Sequence, residues 1–109
     1  MGTPRQVRGA FWDIWMRWKD HITAMVADCA WPVEVRFLIM CVDDDIGARE
    51  WQGPYPLHDL ASMLLILGKD PLAVTERLPD ELPAHNPLND ARQSARQLIE
   101  VLRAALTCL

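Results

Sequence analysis

The sequence contains few of the residues from which catalytic and cofactor sites are usually built. Its only serines are Ser62 and Ser94, neither in a nucleophile-elbow pattern, and its five glycines form no phosphate-binding loop. The histidines His21, His58 and His85 have no Cys or His three or four residues away, which is the spacing of a helical zinc pair. The sequence therefore predicts a protein that is not an enzyme, with no catalytic residue, no metal site and no cofactor.

Cysteine pairs and long apolar runs are also missing. Cys29, Cys41 and Cys108 are odd in number and form no C-x-x-C pair, so we expect reduced thiols, two of them in the core, rather than a disulfide framework. No segment approaches the roughly 18 consecutive apolar residues of a membrane span, and no signal peptide precedes the first helix. These absences predict a cytoplasmic protein without membrane contact.

Positive charge is scarce beyond the first nineteen residues. Residues 20–82 carry twelve acidic and four basic side chains, and the formal net charge of the chain is −4 at pH 7. An acidic surface repels phosphate backbones. We therefore expect no nucleic acid partner unless the basic N-terminal helix acts alone.

Apolar residues make up 50% of the chain, and their spacing is typical of helices. A stripe with 3–4 spacing predicts a first helix that ends near Trp31, because Pro32 forbids its continuation. The stripe contains Val7, Phe11, Ile14, Trp15, Trp18, Ile22, Met25, Val26 and Cys29. Residues 33–42 alternate like a strand but also carry the proline and acidic first turn of a helix. We favour a helix, because no convincing second strand is present.

The rest of the chain follows the same logic. The acidic stretch from Asp43 predicts a solvated loop with at most one helical turn. Residues 57–67 are predicted to form a helix that ends at Gly68. Asp70-Pro71 predicts the start of a short helix that ends at Pro79. Asn86-Pro87 opens the last helix, whose apolar stripe either packs inside the domain or pairs two protomers. The stripe contains Leu88, Ala91, Ala95, Leu98, Leu102, Leu106 and Leu109, with arginine and glutamine side chains on the opposite face.

The predicted fold is an all-α, single small domain over residues 1–109, with four to five helices of which the first and last are amphipathic. The two amphipathic helices offer more apolar surface than one small core absorbs. We therefore expect a homodimer.

The first helix has two apolar faces, and one of them predicts a binding surface. Trp15 and Trp18 lie in the central stripe and are expected in the core. Trp12 and Met16 lie roughly 100–140° from Phe11, on a flank where Trp and Met are typical of partner contacts. Trp51 and Tyr55, in a proline-bounded loop, either join that surface or fix the loop to the core. The predicted partner-binding residues are Trp12, Met16, Trp51 and Tyr55.

Segment 59–78, "DLASMLLILGKDPLAVTERL", offers an alternative function, because it resembles a helix-turn-helix of a direct DNA-binding transcriptional regulator. Its turn at Gly68 comes about one helical turn too late after Leu60. The second helix presents only Thr75, Glu76 and Arg77 to a DNA groove. A plain helical hairpin is therefore the favoured interpretation.

The chain length, the helical pattern, the first helix "FWDIWMRW" and the last helix "NPLNDARQSARQLIEVLRAAL" together resemble the LasR-specific (QslA-like) quorum-sensing antiactivators of pseudomonads. The resemblance extends over the whole chain without a short diagnostic motif, so it assigns no role to any residue. It implies a dimer that binds the ligand-binding domain of an acyl-homoserine-lactone receptor. Binding would block dimerisation of this transcription factor and release it from DNA.

Overall fold

Five α-helices and a two-stranded parallel sheet are formed by residues 2–21 and 23–107, which a computed structural model of the chain describes. The residues divide at Asp59 into two compact units. The first contains α1 (Pro4–Trp18), β1 (Met25–Ala27), α2 (Val33–Asp44), α3 (Ile46–Arg49) and β2 (Leu57–Asp59). The second contains α4 (Leu60–Ile66), a 3-10 turn (Pro79–Glu81) and α5 (Pro87–Thr107). The mostly helical fold class is confirmed, and the organisation as one domain stays a prediction.

Helix α1 begins where local chemistry favours it. The Thr3 hydroxyl accepts a hydrogen bond from the Gln6 amide, and the Gln6 side chain accepts one from the Thr3 amide. This reciprocal pair, followed by Pro4 at the first helical position, satisfies amide groups that a helix start leaves without partners.

The predicted extension of this helix to Trp31 is wrong. Helix α1 ends at Trp18, and Met25–Ala27 instead pairs in parallel with Leu57–Asp59, with Met25 opposite Leu57. The sheet also replaces the first turn of the helix predicted to begin at Leu57. A strand of three residues that pairs with another about 30 residues away leaves no periodic signal, so helical spacing alone suggested a continuous helix.

Helices α1 and α2 form the interior of the first unit. The rings of Phe11 and Phe37 meet edge to face with centroids 5.1 Å apart, and Trp12 and Cys41 are buried. The prediction of a helix over residues 33–42 is confirmed. Helix α2 extends further, to Asp44, so the first two residues expected in the acidic loop are helical instead.

The orientation predicted for α1 is wrong at two tryptophans. Trp12, expected on an exposed flank, is 3% exposed and lies beneath the Arg49 guanidinium, 5.3 Å from the ring centroid. Trp18, expected in the core, is 51% exposed. The predicted inner face depended on Met25, Val26 and Cys29 continuing the stripe, and these residues lie beyond the helix. Ile22 lies outside the described residues.

Helix α5 begins as predicted. The Asn86 side-chain oxygen accepts hydrogen bonds from the amides of Leu88 and Asn89, each at 3.1 Å. An asparagine at this position binds amides that have no partner within the helix. The helix then runs 21 residues, to Thr107. Cys108 and Leu109 lie outside the described residues.

The short helix predicted between Asp70 and Pro79 is absent. Asp70 accepts a hydrogen bond from the Leu72 amide in a turn, and residues 74–78 have no regular structure. Side chains of α5 bind this segment: Gln93 donates to the Thr75 carbonyl at 3.3 Å, and Arg96 donates to the Glu76 carbonyl at 3.0 Å. These contacts use backbone acceptors that a helix would have used itself.

Two cysteines fall within the described residues. Cys41 is fully buried and unpaired, as expected of a core thiol, and burial raises its pKa. Cys29 is exposed, whereas the apolar stripe of the predicted first helix placed it on the side of the core. The third, Cys108, lies outside the described residues.

None of the helices in the described part of the chain has the length and apolar character needed to cross a membrane.

Candidate partner-binding surface

The loop between α3 and β2 forms the rim of a cavity of about 260 Å³ in the first unit. Trp51 and Tyr55 lie on this rim and are 82% and 69% exposed. The wall is completed by residues of α1, β1 and β2, among them Trp15, Met25 and His58. The cavity therefore combines three aromatic side chains with apolar and basic neighbours, a composition typical of protein contact sites.

A second cavity of about 310 Å³ shares Gly53 and Tyr55 with the first. Side chains of α2 supply most of its wall, together with Leu57, and the lining is largely apolar. The contributing α2 residues are Val35, Leu38, Ile39, Val42 and Asp43. Because Tyr55 lines both cavities, one partner segment can contact both by crossing this side chain. We call the surface around Trp51 and Tyr55, with the two cavities, the Tyr55 ridge.

The backbone of the ridge is held in place by defined contacts. The Trp15 indole donates a hydrogen bond to the Gln52 carbonyl at 2.9 Å, and the Tyr55 hydroxyl donates to the Glu50 carbonyl at 2.6 Å. Gly53 adopts a φ of +88°, and a Cβ atom there would lie 3.2 Å from Cζ2 of Trp15. Only glycine fits this conformation without strain. Tyr55 thus closes its own loop through its hydroxyl while exposing its ring.

The structure brings together two of the four predicted partner-binding residues. Trp51 and Tyr55 share one cavity, whereas Met16 is exposed on α1 but does not line it. Trp12 is buried and offers no surface to a partner, so its predicted place on an exposed flank is wrong. Partner binding by Met16, Trp51 and Tyr55 stays a prediction.

Sequence reasoning missed the residues that complete the cavity. Lys19, Met25 and His58 come from three separate parts of the first unit, and only the fold brings them together. The pairing of β1 with β2 is the step that places Met25 near His58, and no sequence pattern indicated it. Trp15 was identified, but as a core residue rather than as support for the loop.

An ion pair between α1 and α2 was also missed. Arg8 donates to both carboxylate oxygens of Asp44, at 2.6 and 2.9 Å, and Arg5 donates to the Asp44 carbonyl. Hydrogen bonding to the Arg8 guanidinium lowers the pKa of Asp44. The pair joins α1 to α2 and does not line the ridge.

The second unit has its own ionic cluster. Glu81 is buried, and Arg96 donates to both of its carboxylate oxygens at 2.7 and 2.8 Å, while the Leu78 amide donates a third bond. These hydrogen bonds, led by that of Arg96, lower the pKa of Glu81 to about 2 against the opposing effect of burial. The bonding explains how a buried carboxylate remains charged at neutral pH.

No arrangement for metal binding is found among residues 2–21 and 23–107, in the sense of three or more His, Cys, Asp or Glu side chains grouped together. The segment proposed as a helix-turn-helix contains one helix, α4, because the second is replaced by the irregular stretch after Asp70. That geometry does not support insertion of a recognition helix into DNA.

No family model matches this chain, and comparison with curated proteins and with solved structures finds no significant similarity.

Proposed function

We propose that this chain is a non-enzymatic regulator that acts by binding another protein through the Tyr55 ridge. The observation that carries the proposal is the pair of exposed aromatic side chains, Trp51 and Tyr55, on the rim of a cavity. The backbone of their loop is held by the hydrogen bond from the Trp15 indole. Tryptophan and tyrosine are among the residues most enriched at energetically dominant contacts. A loop that is already ordered loses little conformational freedom when a partner binds.

The class of partner we propose is a quorum-sensing transcription factor, an acyl-homoserine-lactone receptor. The resemblance of the whole chain to the quorum-sensing antiactivators supports this choice. Such a receptor binds DNA as a dimer, and a dimer reads two half-sites at once. A protein that covers the dimerisation face therefore lowers DNA affinity without touching DNA. The proposed activity is that of a cytoplasmic antiactivator.

The proposal can be tested by calorimetric titration of the purified chain into a purified receptor ligand-binding domain. We expect Trp51→Ala to weaken binding by about 2 kcal/mol, which corresponds to roughly 30-fold in Kd. Trp31→Ala is the matched control, because Trp31 is 76% exposed and lines neither cavity of the ridge. Equal binding by wild type and Trp51→Ala, or absence of binding to the receptor, would contradict the proposal.

The alternative of direct DNA binding is addressed by gel shifts of operator DNA in rising salt. An antiactivator releases the receptor from DNA and forms no shifted complex by itself. A complex of this chain alone with DNA, weakening steeply with salt, would instead indicate contacts to phosphates.

A further inference from the structure

The two cavities of the Tyr55 ridge differ in charge. Lys19 and His58 line the first cavity, and none of the described residues around it is acidic. The second cavity is lined mainly by aliphatic side chains, and Asp43 is the charged residue of its described lining. One side of Tyr55 is therefore basic and aromatic, whereas the other is apolar with a carboxylate.

The basic side of the ridge favours an acidic side chain. The Lys19 ammonium group donates a hydrogen bond to the Asp20 carboxylate at 3.2 Å, and the Asp20 side chain is 83% exposed. An ion pair this open to water is weak, so a carboxylate from a partner can replace Asp20 at Lys19. The His58 imidazole can donate a second hydrogen bond, because a neutral or a charged imidazole carries at least one N–H. A partner that covers the cavity also excludes water, which strengthens the attraction between the charges.

The second cavity favours an apolar side chain and disfavours an acidic one. Ile39 in its wall is 55% exposed, and Val35 and Leu38 of the same helix line the cavity with it. Covering these side chains removes apolar surface from water. Asp43 repels a second carboxylate, so the acidic residue of a bound segment is directed to Lys19 instead.

We infer that the Tyr55 ridge binds a protein segment with an acidic and an apolar side chain on one face, the acidic one in the first cavity and the apolar one in the second. Alternate side chains of an extended segment point to the same face, so residues two positions apart can enter the cavities on either side of Tyr55. The inference deepens the proposed function and rests on the ridge being the partner-binding surface. It adds the chemistry and the direction of the bound segment.

The first experiment selects binders from a displayed library of random peptides on the immobilised full chain. We expect the enriched peptides to carry Asp or Glu two positions from a large apolar residue, and to lose affinity for Trp51→Ala. Lys19→Met keeps the aliphatic part of the side chain without its charge and should weaken a selected peptide about fivefold. Arg17→Met is the matched control, because Arg17 is exposed in the last turn of α1 and lines neither cavity. Failure to enrich any peptide, enriched peptides without an acidic residue, or equal binding by wild type and Lys19→Met would overturn the inference.

The second experiment removes the carboxylate that competes for Lys19. Asp20→Asn leaves the ammonium group open to the peptide, so the same peptide should bind about threefold more tightly. Asp13→Asn makes the same change of net charge at an exposed residue that lines neither cavity, and its affinity should equal that of the wild type. Unchanged or weaker binding by Asp20→Asn would show that the acidic side chain does not contact Lys19.

The third experiment tests the apolar cavity. Ile39→Asn replaces apolar surface by an amide and should weaken the peptide about tenfold. Ile14→Asn is the matched control, because Ile14 is also 55% exposed and lines neither cavity. Equal affinity of the two variants would overturn the placement of the apolar side chain.

Calorimetric titration of the same variants into the receptor ligand-binding domain separates this inference from the proposed function. Absence of binding to that domain contradicts the proposed function, and the peptide selection then tests the ridge chemistry by itself. Binding that Trp51→Ala weakens and Lys19→Met leaves unchanged contradicts the inference alone. Uptake of benzoate without any peptide would show a small-molecule site, and self-association that Lys19→Met suppresses would show a second copy as the occupant. Either outcome would overturn the inference.

Discussion

Trp12 contributes more to folding than any other tryptophan whose environment the structure describes, because it is almost completely enclosed. We expect Trp12→Ala to lower the free energy of unfolding by about 3–5 kcal/mol, through lost burial and the cavity that remains. The matched change Trp31→Ala, at a side chain that is 76% exposed, should alter it by about 0.5 kcal/mol or less. Urea unfolding followed by circular dichroism measures both. Similar losses in the two variants would show that Trp12 is not a core residue.

The lowered pKa of the Glu81 carboxyl group makes the stability of the fold depend on pH. Its pKa of about 2 in the folded chain lies below its ordinary value of 4.5. Stability from this carboxylate is therefore fully present above about pH 4.5 and is lost as the pH falls toward 2. Glu81→Gln should remove that component, so that the difference in unfolding free energy between wild type and variant shrinks through this range. Acid titrations of helical circular dichroism at several urea concentrations give the comparison. A difference that stays constant from neutral pH to about pH 2 would contradict it.

At the level of elements, the loop between α3 and β2 depends on one glycine. Gly53→Ala forces a residue with a Cβ atom into a φ of +88° and against the Trp15 ring, so we expect a loss of about 1–3 kcal/mol in unfolding free energy. Gly47→Ala is the matched control. Gly47 lies in α3 with open space around its Cα, so alanine there should be neutral or slightly stabilising. Thermal unfolding of the two variants measures the difference, and equal melting temperatures would contradict the prediction.

The elements that could be predicted from sequence are those specified by local chemistry. The start of α5 at Asn86-Pro87 and the helix after Pro32 follow from caps and first-turn residues, and both are present. The end of α1 and the strand Met25–Ala27 depend on pairing with Leu57–Asp59, which is distant in sequence. The missing helix before Pro79 depends on side chains of α5 that bind its backbone. Long-range contacts of this kind override local propensity and leave no periodic trace.

The candidate site likewise has features that the sequence indicates and features that depend on long-range contacts. Proline-bounded aromatic residues at 51 and 55 indicated a surface, and both lie on one cavity. Trp12 was misplaced because the inner face of α1 is determined by the contact with α2, through Phe11 and Arg8, and not by a stripe that extends beyond the helix. A helical wheel identifies which residues share a face but does not show which face packs inward when two are apolar.

At the level of the whole molecule, the homodimer expected from the sequence stays a prediction, because the chain has more apolar surface than one small core absorbs. Light scattering and sedimentation of the full chain over a range of concentrations measure its mass. A chain that stays monomeric at micromolar concentration would contradict the prediction.

Because Trp12 is enclosed and the indole of Trp51 is exposed, the two side chains should differ in their fluorescence. Indoles in contact with water emit at longer wavelength and are open to dissolved quenchers such as iodide, whereas an enclosed indole emits further to the blue and is shielded. A partner that covers the Tyr55 ridge should therefore shift the emission of the unlabelled protein to the blue and protect it from iodide. Replacing Trp18 and Trp31 by phenylalanine removes the other two exposed indoles among the described residues, so the remaining change comes from Trp51 and Trp15, which line the same cavity.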